Sequence, residues 1–253
     1  MKTAATFRIW RGDAGDGHLI DYQTSISEGM VVLDAVRQIQ AEQANDLAIR
    51  WNCRAGKCGS CSAEINGMPK LMCMTRLSSL SLNQPVTVEP MRTFPLIRDL
   101  VTDVSWNFRV KKEIKPFRPR PADTADGVWR MQQVDIARIE EFHRCIECFL
   151  CQDVCHVLRE HQLFDRYIGP RNLVYTAALE MHPLETEHRL ETLKDRYGIG
   201  YCNVTNCCTR VCPAEIKITE NAIIPQKERV VDEFYDPLIR LWRFFGRRFS
   251  RSR

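Results

Sequence analysis

The sequence has no run of about 18 apolar residues, so no segment of it is long enough to cross a bilayer as a helix. Its start, Met1 to Arg11 (MKTAATFRIWR), lacks the apolar stretch of a secretory signal. Charge of neither sign dominates. Lys and Arg number 36 against 32 Asp and Glu, and a net charge of +4 is too small to argue for a nucleic-acid partner. No Gly-x-Gly-x-x-Gly fingerprint is present, so any flavin the protein works with is expected on a partner. No repeat of about 20–50 residues is evident, apart from a cysteine motif.

What stands out is cysteine, with 12 in 253 residues. Without a secretory signal the thiols are expected to stay reduced, and abundant cysteines then read as metal ligands rather than disulfides. The length allows one large or two ordinary domains, and a hydrophobic content of 44% is normal for a chain that buries a core.

The fold expected is α+β. Residues 1–106 read as a small mixed unit. Phe7 and Ile9 alternate with Arg8 and Trp10 as in a strand, and His18 to Ser27 suits its partner. Val32, Leu33, Val36 and Ile39 recur at the helical period. Asn66-Gly67 signals a hairpin between Ala63 and Cys73, and Pro85 to Glu89 a closing strand. Residues 107–127 read as a linker, since Lys111 to Gly127 holds three prolines and no apolar period. Residues 128–235 read as helical. Helices are expected at Val134 to His143, at Arg171 to Met181 behind Gly169-Pro170, and at Glu185 to Tyr197 with Gly198 as its cap. A last one, Thr219 to Asp232, should break or kink at Pro225. Residues 236–253 form a basic tail. In it Leu238, Leu241, Trp242, Phe245 and Phe249 fall near one helical face, and Arg240, Arg243, Arg247 and Arg248 largely elsewhere. Such a helix suits a lipid headgroup region or a membrane-anchor subunit; a solvated, frayed tail is the plainer reading.

Cys53, Cys58, Cys61 and Cys73 follow C-x4-C-x2-C with a fourth cysteine further on, the plant-type [2Fe–2S] spacing. Gly56 and Gly59 let the loop wrap closely and aim backbone N–H groups at sulfur. Structural zinc prefers two close cysteine pairs, which a triplet plus one distant cysteine fits poorly.

Cys145, Cys148, Cys151 and Cys155 form a C-x2-C-x2-C-x3-C run. Cys202, Cys208 and Cys212-Pro213 repeat it with Thr205 in the second place. In paired runs the fourth cysteine serves the other cluster. One centre then takes Cys145, Cys148, Cys151 and Cys212 as [4Fe–4S]. The other has only Cys155, Cys202 and Cys208, and a corner without thiolate favours [3Fe–4S], because a protonated hydroxyl is a hard, poor ligand there. Cys207 is left over and reads as a buried free thiol. Three clusters of different type in one chain form a relay for single electrons, and no catalytic residue is expected on it.

These motifs, with Met91 to Val104 (MRTFPLIRDLVTDV) and Gly169-Pro170, make the chain resemble the iron–sulfur subunit of succinate dehydrogenases and fumarate reductases over nearly its whole length. The stretch CIECFLCQDVCHVLRE looks most like the actinobacterial members. The resemblance implies a β-grasp domain followed by a helical ferredoxin domain. It also implies a flavoprotein partner carrying FAD, a membrane anchor with quinone near the [3Fe–4S] end, and a peripheral place on the cytoplasmic face of the cell membrane. An iron–sulfur subunit serving a different flavoprotein is the rival. Many members follow the [3Fe–4S] cysteine with proline and place a tryptophan five residues after it; here those positions hold His156 and Glu160. Asn203 stands where many have histidine. His156 is the candidate beside the quinone, with a packing or surface histidine as the alternative.

Overall fold

The computed structural model describes residues 3–237, so residues 238–253 of the expected basic tail lie outside the described residues. In strand β1 (Thr3–Gly12) the side chains of Ala5, Phe7 and Ile9 are buried, while Arg8 faces out and pairs with Asp21 at 2.6 Å. This is the two-residue period of a strand with one face on a core. Strand β2 (Gly17–Ile26) runs antiparallel to β1. Helix α1 (Val32–Glu42) buries Val32, Leu33, Val36 and Ile39. Its Asp34 accepts a hydrogen bond from Val31 N–H at 3.2 Å, satisfying a donor that the helix start leaves free. Strands β3 (Ser62–Ile65) and β4 (Met68–Leu71) form the expected hairpin. Asn66 and Gly67 both take positive φ, 50° and 74°, as a two-residue turn of this hand requires.

Strand β5 (Val86–Glu89) lies parallel to β1 and antiparallel to β3, giving the order β2-β1-β5-β3-β4. With α1 on it, this mixed sheet is the β-grasp arrangement. A short pair, β6 (Leu96–Arg98) and β7 (Val101–Thr102), follows. No periodicity announces that pair; it turns at Asp99, whose buried carboxylate accepts from Gly12 N–H and Ala48 N–H at 2.8 and 2.7 Å.

Helices come next: α2 (Ser105–Glu113), α3 (Gln133–Glu140), α4 (Leu150–Asp153), α5 (His156–Arg159), α6 (Gly169–Glu180), α7 (Leu190–Asp195), α8 (Cys207–Arg210) and α9 (Ile224–Phe234). The chain groups into two units. One comprises Met1–Arg109, Arg144–Gln162 and Cys207–Ile216; the other comprises Val110–His143, Leu163–Asn206 and the described part of Lys217–Arg253. Helix α2 runs into the stretch read as a linker. Its Lys111 and Lys112 sit in the last turn, where the helix dipole favours cations. Beyond it, Arg120 N–H donates to Leu184 O at 2.8 Å and Trp129 Nε1 to Arg120 O at 2.9 Å.

One helical expectation needs revision. The chain from Glu185 to Arg189 is not helical, and α7 begins only at Leu190. The Glu185 carboxylate accepts from the N–H groups of Arg118, Thr186 and Glu187, which draws this backbone into an open turn. The last helix does break near Pro225: a π-helical turn over Ile218–Ile223 gives way to α9, with Pro225 in its first turn. Gly198 follows α7 at φ 62°, and a Cβ there would come within 1.8 Å of Arg166 O, so only glycine fits.

Arg189 holds the second unit together. Its side chain is fully buried and pairs with Glu185 at 2.8 Å and Glu180 at 3.6 Å. It also donates to the carbonyls of Lys115, Pro116 and Glu187. Arg189→Leu leaves two buried carboxylates without this partner and is expected to destabilise the protein by about 3–5 kcal/mol in urea denaturation. A loss below about 1 kcal/mol, as for a surface pair, would contradict this reading.

Candidate functional site

The loop from Cys53 to Cys61 is shaped by Arg54, Gly56 and Gly59, all at positive φ (57°, 65° and 70°). Those reversals turn N–H groups toward sulfur. Cys53 Sγ accepts from Ala55 N–H at 3.4 Å and Lys57 N–H at 3.2 Å, and Cys58 Sγ from Cys53 N–H at 3.5 Å. The β3–β4 hairpin returns the chain: Met72 N–H donates to Cys61 O at 3.0 Å, and Cys73 N–H to Cys61 Sγ at 3.4 Å. N–H···S bonds thus tie Cys53 to Cys58 and Cys73 to Cys61. Soft sulfur ligands with N–H groups on them fit a [2Fe–2S] cluster.

The electrostatics differ within the loop. Burial opposes ionisation of Cys58, but hydrogen bonds from the Ser60 hydroxyl and from the Cys53 and Ser60 backbone outweigh it and bring its thiol down to about 6. Burial pushes Cys61 up to about 12, with the neighbouring Cys73 and Cys58 adding to the effect.

The second group forms in the same unit. Burial pushes Cys148 up to about 12; Leu150 N–H works against this, and the charges of Cys145 and Cys212 reinforce it. Cys145, Cys148 and Cys212 are therefore neighbours, although 67 positions separate the first and the last. Helix α4, with Cys151, packs on α8, with Cys208. Buried Cys155 stands at the start of α5. Half-buried Cys202 belongs to the second unit, where Lys227 Nζ donates to its carbonyl at 2.6 Å. Cys207 is the first residue of α8 and is half-buried.

The two cysteine runs share a local pattern of positive φ. In the first, Glu147 and Phe149 flank Cys148 at φ 54° and 62°. In the second, Val204 and Asn206 flank Thr205 at φ 61° and 61°. Helix α4 starts two residues after Cys148, and α8 two residues after Thr205. Paired reversals of this kind turn successive N–H groups into an anion-holding nest. Among the described residues no three His, Cys, Asp or Glu side chains converge as ligands of a single ion must; a cluster spreads its thiolates over two or more irons.

Some of the site was not foreseen. Glu64 and Asp153 are both fully buried. Glu64 pairs with Arg159 at 2.9 Å and with Arg92 at 3.3 Å, tying β3 to the segment after Cys155. Burial pushes Asp153 up to about 7; Thr93 N–H opposes this and the charge of Glu64 adds to it. Only Asp153, between Cys151 and Cys155, could have drawn notice in the sequence. His156 is half-buried, and its ring lies 6.5 Å from that of His161.

In cluster-free protein, Cys58 should alkylate with iodoacetamide first, because the thiolate is the nucleophile. Its labelling should be half-maximal near pH 6, while Cys61 and Cys148 stay protected at neutral pH. Peptide mapping showing Cys148 labelled ahead of Cys58 at pH 7 would contradict this order.

Comparison with known proteins places the two cluster-binding domains along the chain. A family model described as "2Fe-2S iron-sulfur cluster binding domain" matches residues 6–109, and one described as "4Fe-4S dicluster domain" matches residues 141–216. The chain is 33% identical to the fumarate reductase iron-sulfur subunit of Mycobacterium tuberculosis, over 76% of this chain and 78% of that one. It is 29% identical to the succinate dehydrogenase iron-sulfur subunit of Paracoccus denitrificans, over 88% and 86%. A chain of the Mycobacterium smegmatis Sdh1 complex in the apo form superposes with a TM-score of 0.90 and 55% identity, over 94% of this chain and 99% of that chain. With its two cluster-binding domains, the chain belongs to the iron–sulfur, electron-transfer subunits of the succinate dehydrogenase and fumarate reductase family.

Proposed function

We propose that the chain carries single electrons through three clusters, from a flavoprotein toward quinone. The first, [2Fe–2S], is held by Cys53, Cys58, Cys61 and Cys73. The second, [4Fe–4S], is held by Cys145, Cys148, Cys151 and Cys212. The third, [3Fe–4S], is held by Cys155, Cys202 and Cys208. The clusters supply one-electron transfer. The chain's own residues bind them, direct N–H groups at their sulfurs, and leave one corner of the third without a thiolate.

Thr205 carries this reading. Its neighbours Val204 and Asn206 repeat the positive φ of Glu147 and Phe149 around Cys148, which supports reading Thr205 as the counterpart of a cysteine ligand. A threonine hydroxyl stays protonated near neutral pH and binds iron poorly at a sulfur-lined corner.

The partners in this proposal are an FAD-containing flavoprotein that oxidises succinate and a membrane anchor that offers quinone beside the third cluster. The 55% identity to a chain of the Sdh1 complex favours the succinate-oxidising direction over fumarate reduction. The chain itself sits on the cytoplasmic face of the membrane, held by its anchor; no helix among the described residues is long and apolar enough to cross a bilayer. His156, with His161 near it, is the candidate proton-bearing group at the quinone end.

Low-temperature EPR of the oxidised protein is expected to show a [3Fe–4S] signal that reduction removes, with a [2Fe–2S] signal appearing. Thr205→Cys should convert the third site to a four-iron cluster and diminish the oxidised signal. An undiminished signal with the new cysteine in place would overturn the ligand assignment, and zinc in place of iron would overturn the whole reading.

A further inference from the structure

In the first unit one hydroxyl touches both cysteine loops. Ser62 Oγ lies 2.8 Å from Gly59 O and 2.8 Å from Cys148 O. Ser62 is buried, which shields this contact from bulk solvent. A serine hydroxyl has a single proton to donate. Here it stands between two carbonyl oxygens whose partial negative charges would otherwise face each other unscreened.

The two backbones approach closely at this point. A Cβ on Gly59 would lie 2.6 Å from Cys148 Cα and 2.9 Å from its Cβ, so glycine is needed for the contact. Cys148 is also steadied from its other side. The next residue, Phe149, sits edge-on to Phe94 and Phe108 at centroid distances of 6.3 and 5.5 Å. Packing does not close the gap everywhere. A cavity of about 170 Å³ lies alongside, lined by Cys58, Ser62, Cys148 and Phe149 among others, and leaves the loops room to shift.

We propose that Ser62 is a positioning residue for electron transfer: its hydroxyl fixes the separation between the Cys58–Cys61 loop and Cys148, and with it the distance from the first cluster to the second. This rests on the ligand assignment made under the proposed function. Electron tunnelling falls steeply with distance, so a small displacement at this tie changes the rate without removing a ligand.

The test uses the assembled complex with its clusters in place. Ser62→Ala is expected to retain the iron and sulfide content and the [2Fe–2S] line shape. It should lose part of the spin-relaxation enhancement that the reduced second cluster imposes on the first, and freeze-quench EPR should show slower reduction of the second cluster. Ser62→Thr keeps the hydroxyl and should restore both. Gly59→Ala drives a methyl group into the Cys148 backbone and should cause the same loss by another route, which covers the case where Ser62→Ala fails to assemble. Unchanged relaxation in Ser62→Ala overturns the proposal, as does unchanged relaxation in Gly59→Ala where Ser62→Ala does not assemble. Failure of Ser62→Thr to restore the enhancement also overturns it. Absence of the cluster signals from the unaltered complex would instead overturn the ligand assignment.

Discussion

Thiols buried side by side resist ionisation, and this constraint governs how the chain is built around its cysteines. Burial and neighbouring sulfurs push Cys61 and Cys148 up to about 12, far from the state that binds metal. A bound cation reverses that balance, because it ionises a coordinating thiol outright. The protein contributes what iron alone does not: N–H groups aimed at Cys53, Cys58, Cys61 and Cys148 that stabilise negative sulfur. Aiming those groups needs backbone reversals, which explains why positive φ gathers at residues 54, 56, 59, 147, 149, 204 and 206. Several of these are not glycine, and each costs conformational energy that the surrounding structure must offset.

The same unit holds its cysteine loops together with strong, buried polar contacts. Glu64 on β3 takes Arg159 and Arg92, Thr93 takes Asp153, and Ser62 takes Cys148. Partly paired buried charge is an unreliable source of stability, since desolvation offsets much of the attraction. What such pairs supply is a fixed geometry. A relay needs that more than stability, because spacing between centres decides its rate.

Much of the fold was legible from local rules. Alternation gave β1, the 3.6-residue period gave α1, Asn66-Gly67 gave the hairpin and Pro225 a break, whereas the cap of α7 is Arg196 and not Gly198. The failures were tertiary. Glu185 to Arg189 has helical composition, yet Glu185 is captured by three backbone N–H groups and Arg189 by three carbonyls, so the helix starts late. Strands β6 and β7 are too short for a period to show, and α2 lies where charge and proline suggested a linker.

The sequence by itself determined the two cluster-binding domains, because cluster chemistry dictates cysteine spacing over short stretches of chain. It also determined the β-grasp strands and the family. Only the tertiary structure decided that Ser62 reaches Cys148, 86 positions further on, and that Glu64 and Asp153 are buried together. The physical reason is range: spacing and periodicity act between near neighbours, whereas burial, field and close backbone approach arise between residues that the sequence keeps far apart.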